Sequence, residues 1–141
     1  MIVISPFEQA IKELNRNIRI LKEQVRQDNK DNDDKRDKIE QLKDKTDTLL
    51  KDAIALRKDI ELEIEITHSD EEISQEEKED IIHTLRKKLL ILGDAIIYLF
   101  KTIRSLTHNY ILLTITDKQI NMSQIIIQQS KNKMAGKKNW I

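Results

Sequence analysis

Residues 7–67, FEQAIKELNRNIRILKEQVRQDNKDNDDKRDKIEQLKDKTDTLLKDAIALRKDIELEIEIT, contain two interleaved rows, each repeating every seven residues. One row is Ile11, Ile18, Val25, Asn32, Ile39, Thr46, Ala53, Ile60 and Thr67. The other is Phe7, Leu14, Leu21, Asp28, Lys35, Leu42, Leu49, Leu56 and Glu63. Steps of three and four residues alternate, and that period keeps one narrow stripe of a helix turned towards a partner helix. A second stripe follows at Ile82, Leu85, Leu89, Leu92, Ile96, Leu99, Ile103, Leu106, Tyr110 and Leu113, with no polar residue charged enough to break it. The pattern predicts an all-α chain: a long antiparallel two-helix hairpin of coiled-coil type, assembled into an oligomeric bundle.

The punctuation sets the expected boundaries. Residues 1–5 form a lead, and Ser5, Pro6 and Glu8 fit a capping box with proline at the first helical position. Helix one is expected over 6–67. Its seam is interrupted over 28–38 (DNKDNDDKRDK), where every residue is polar and several are poor helix formers. A solvated stretch or hinge accounts for this segment; a calcium loop from Asp31 fails because Lys35 and Arg36 stand where a ligand and a glycine are needed. If the helix continues through it, folding about residue 69 or 70 sets this segment opposite Arg104 and His108, with Asn32 fixing register in the seam.

A turn is expected over 68–74, with Ser69 and Glu72, or Ser74 and Glu77, as the cap of the next helix. Helix two is expected over 75–130. Its apolar face is wider than a seam: Ile81, Leu90, Ile91, Ile97, Tyr98, Phe100, Ile111, Leu112 and Ile115 lie outside the stripe, as in a helix with more than one neighbour. Gly93 interrupts that face, which close helix packing or a kink would explain. Residues 131–141 read as a basic flexible tail in which Lys131, Lys133, Lys137, Lys138 and Trp140 are the candidate contacts to an anionic membrane or to phosphates.

Composition excludes more than it selects. The chain has 141 residues, 35% of them charged, with two glycines and one proline, which suits long helices and not a sheet-based enzyme. Its 25 basic and 25 acidic residues cancel, so no overall field draws it to nucleic acid, an unlikely partner. Without cysteine there is no thiolate chemistry. His68, His83 and His108 lack metal-ligand spacing, and no glycine-rich phosphate loop or nucleophile with a base is present, so no catalytic, cofactor or metal residue is assigned. The beginning does not read as a secretory signal, and the uncharged runs are too short to span a bilayer, which makes the cytoplasm the default location and leaves signal-independent export open.

The expected function is therefore structural: a non-enzymatic scaffold that assembles through helix surfaces, with itself as a homo-oligomer or with another helical protein. The candidate assembly seam is Leu14, Ile18, Leu21, Val25, Leu49, Leu56, Leu89, Leu92, Ile96, Leu99, Ile103 and Leu106. The alternative is a membrane-active helical protein, such as a component of an α-helical pore-forming toxin. No motif ties the chain to a family.

Overall fold

The computed structural model describes residues 2–27 and 31–138, with side chains up to residue 133. Among these residues there are three helices and no strand: α1 (Ser5–Arg26), α2 (Asn32–Ser69) and α3 (Gln75–Lys138). The expected helix over 6–67, with its polar interruption at 28–38, is two helices. Gln27 leaves α1 with extended backbone (φ −82°, ψ 118°), and Asp31, also extended (φ −63°, ψ 131°), opens α2. The Asp31 carboxylate accepts the Asp33 N–H at 3.0 Å, the preferred way for a short acidic side chain to satisfy a helix start. Local hydrogen bonding of this kind competes with helix continuation, and the polar segment contains no apolar side chain whose burial would outweigh it.

Once reversed, α1 lies antiparallel to α2 and parallel to α3. The Lys38 ammonium donates to Gln24 Oε1 at 3.1 Å near one end of the α1–α2 pair. Towards the other end, Phe7 and Ala10 line the same groove as Leu49 and Leu56. The Tyr98 hydroxyl donates to the Asn15 side chain, and the Lys88 ammonium donates to the Ile2 carbonyl at 2.7 Å, so α1 is also tied to α3. All three stripes meet in one core: Phe7, Leu14, Ile18 and Leu21 from α1; Ile39, Leu42, Ala53 and Ile60 from α2; Leu85, Leu92, Ile96, Leu99 and Leu106 from α3. Each large side chain so buried contributes about 1.5 to 3 kcal/mol. Thr46 and Thr67 take core positions on α2 because their hydroxyls donate to the carbonyls one turn back, Leu42 at 2.6 Å and Glu63 at 2.8 Å.

The second reversal occupies residues 70–74. Ser74 caps α3 by accepting the Glu77 N–H at 3.1 Å, and Asp70 accepts the Glu72 N–H at 2.9 Å. Ser69 remains the last residue of α2. Because the turn is centred a few residues beyond 70, the α2–α3 register shifts: Asn32 faces Asp117, not Arg104 and His108.

Three further local expectations are corrected. The Ser5 capping box does not form: Ile4 is the N-cap, without a side-chain cap, and its carbonyl accepts the Glu8 N–H at 2.9 Å. Ile4 is buried in the core, and that burial sets the helix start one residue before proline. At Gly93 a Cβ would meet nothing within 4 Å, so close packing inside the chain is not its reason. Finally, α3 does not end near residue 130; its backbone stays helical through Lys138. At about 1.5 Å per residue its 64 residues make a rod of roughly 95 Å.

Candidate interaction surface on the third helix

Two lysines close the two reversals by the same device. Lys35, at a seam position and only 5% exposed, donates to the carbonyls of Val25 at 3.2 Å and Gln27 at 2.9 Å, the free acceptors at the end of α1. Lys78 donates to the His68 carbonyl at 3.1 Å at the end of α2. In each case a cation from the early part of one helix reaches back to the negative end of the helix before it. Among the described residues no buried side-chain nitrogen or oxygen is left without a partner.

Asn32 belongs to a three-residue clasp rather than to an apolar seam. Its amide donates to Asp117 Oδ1 at 2.6 Å, and Arg36 pairs with the other Asp117 oxygen and with Asp33. The hydrogen bond from Asn32, then that from Arg36, holds the Asp117 carboxyl below its ordinary value. The hydrogen bonds to Asp117, then to Asp33, raise the Arg36 guanidinium above its ordinary value. About two turns of α3 away, the Glu40 carboxylate raises the Tyr110 hydroxyl above its ordinary value. Together these contacts fix the antiparallel register of α2 on α3.

The candidate assembly seam falls inside the chain's own bundle. Leu14, Ile18, Leu21, Leu92, Ile96, Leu99 and Leu106 are buried, and Val25, Leu49, Leu56, Leu89 and Ile103 are half-buried. What remains outside is the wider face of α3. Leu90 is 71% exposed, Ile97 and Phe100 are each 56% exposed, and Ile111 is 49% exposed. In heptad terms these residues flank the core stripe on the side away from α1, and Gly93 lies among them as a notch. Single exposed apolar residues are ordinary, but a row of this length on one face makes it the candidate contact surface.

The row continues where α3 has no neighbour among the described residues. Asp117 stands opposite the start of α2, and the next 21 residues of α3 project past it by roughly 30 Å. In that projection Ile120, Met122, Ile125, Ile126 and Ile127 are all about half exposed. Lys118, Lys131 and Lys133 are exposed there too, while the side chains of Lys137, Lys138 and Trp140 lie outside the described residues. No acid follows Asp117 in the sequence. The opposite pole is acidic: Glu71, Glu72, Glu76, Glu77, Glu79 and Asp80 are exposed around the 70–74 turn.

Other surfaces have less to offer chemistry. An open groove between α1 and α3 has Ile18, Leu21, Val25 and Leu106 along its floor and Lys22, Arg26 and Lys101 at its rim, with no buried charged group aimed into it. His68, His83 and His108 are exposed on separate parts of the surface. Among the described residues no cluster of His, Cys, Asp and Glu could hold a metal ion, and no helix is long and apolar enough to cross a membrane. No family model, curated protein or solved structure matches the chain.

Proposed function

We propose that the chain is a non-enzymatic assembly module: the α2–α3 hairpin, braced by α1, presents α3 as a helical surface that other helices bind, building a larger bundle. The observation that supports this reading is the outward row Leu90, Ile97, Phe100 and Ile111, which runs on into a projecting end of α3 with no neighbour among the described residues. A helix segment of about 20 residues is marginal in water on its own, and apolar residues that stay wet add nothing to it. Both are stabilised when another helix covers them.

The seam residues have a different part to play. With Ile96 and Leu99 buried in the core, Asp at those positions unfolds the chain and reports nothing about assembly. The informative pair is Ile97→Asp with Phe100→Asp. Helix content and melting temperature are expected to stay close to those of the unaltered chain, while the mass measured by light scattering falls to that of one chain. A pair that leaves an assembled species intact removes the α3 face from the reading. The competing class is a membrane surface, which the exposed Lys131 and Lys133 beside apolar residues make worth testing. Retention of the chain on anionic vesicles, lost in the same double variant, would replace protein assembly as the function.

A further inference from the structure

We propose that the outward face of α3 pairs with the same face of a second copy, antiparallel, about a centre at Arg104. This rests on the assembly reading above and adds the occupant, its direction and its register.

Charge decides the direction. From Lys118 onward the charged residues of α3 are all basic, and its first turns carry Glu76, Glu77, Glu79 and Asp80, all exposed. A parallel pair would lay Lys131 and Lys133 of both copies side by side and crowd the acids at the other end. An antiparallel pair sets the basic projection of each copy along the acidic beginning of the other. Like charges brought together cost energy and opposite charges steer encounter, so complementarity selects the antiparallel arrangement over its parallel competitor.

The apolar row sets the register. About a centre at Arg104, Ile97 of one copy stands opposite Ile111 of the other. Ile115 stands opposite Gly93, where the backbone leaves open space that a side chain from outside can enter. Lys131 then stands opposite Glu77. A shift of one heptad either way sets Ile97 against Arg104 or Lys118 and loses these matches. The projecting segment, without a neighbour among the described residues of its own chain, gains one as far as Lys133, opposite Gln75. The two Arg104 side chains meet on the symmetry axis, an unfavourable contact, as is Lys118 opposite Leu90, and Arg104→Leu is expected to tighten the pair several-fold.

The chain contains no cysteine, so introduced thiols report on one place only. Ile97→Cys and Ile111→Cys, both at exposed positions, are prepared separately, checked for helix content by circular dichroism, and treated with a short bis-maleimide alone and mixed. The mixture is expected to yield a cross-linked species of twice 16.7 kDa, at least ten-fold more than either variant alone. Light scattering on the unaltered chain is expected to give the same doubled mass, reduced by high salt. Self-linking of each variant alone would mean a parallel pair and overturn the proposal. A chain that is monomeric at every concentration overturns it as well, while leaving a heterologous helix as the partner in the assembly reading. A monomer that instead sediments with phosphatidylserine vesicles overturns both.

Discussion

Lys35 stands where the heptad pattern calls for leucine, and its value lies in the carbonyls that its ammonium reaches at the end of α1. Lys35→Met keeps the apolar stem and removes the donors, leaving two acceptors and a helix terminus without their cation. The expected loss is about 1 to 3 kcal/mol in chemical denaturation, with the α1 end loosened first. An unchanged midpoint would show that water replaces the lysine at no cost. Asp117 makes a different prediction, because its folded-state carboxyl lies below its ordinary value of 3.8. A depressed acid stabilises the fold above its unfolded value, and that contribution disappears as pH falls through the folded one. The stability difference between the unaltered chain and Asp117→Asn is therefore expected to be constant from neutral pH down to about pH 4 and to shrink below it. A difference independent of pH would mean that the carboxylate charge does not hold the clasp.

At the scale of the element, the core residues could be read from the sequence and the reversal after Gln27 could not. Phe7, Leu14, Ile18, Leu21, Ile39 and Ile60 lie in one heptad frame, and a frame says which side of a helix is buried without saying whether the helix continues. The polar run 28–38 marked the place where it stops, but the Lys35 contacts that favour folding back reach carbonyls on the preceding helix, Val25 and Gln27, which no local pattern announces. Similarly, Ser74 with Glu77 was legible as a cap because both are local, whereas Ser5 was misread because burial of Ile4 moved the helix start. The outward face of α3 was visible as excess width in Leu90, Ile97 and Phe100. That it lies opposite α1, and not beneath it, required the fold. Gly93→Ala places a methyl in open space, so in the isolated chain it is expected to stabilise α3 by about 0.5 to 1 kcal/mol, measured by thermal melting at low protein concentration. A loss would show that the glycine serves a contact made by another molecule. Ser74→Ala removes a cap and should cost about 1 kcal/mol in the same assay.

For the whole molecule, the proposed assembly places association on the side of α3 opposite to the one that stabilises the fold. Leu92 and Leu99 are fully buried, and replacing either by Ala is expected to cost about 2 to 5 kcal/mol. Ile97 and Phe100, within a turn of them, are open to solvent, and exchanging them for polar residues should leave unfolding nearly unchanged while altering mass in solution. Shortening the chain after Asp117 separates the two roles in another way. The core residues of all three helices precede the cut, so the bundle should still melt cooperatively, and only association should be lost.

The projecting end of α3 also makes the state of the molecule visible to a protease. Trypsin needs a locally unfolded strand, and its targets Lys118, Lys131 and Lys133 sit on the one stretch of helix held by its own hydrogen bonds alone, where opening is least costly. Digestion should trim the free chain back towards the clasp within the time that the bundle stays whole. Coverage by a second helix should slow each of those cuts together, so the rate of trimming becomes a clock for occupancy of the surface.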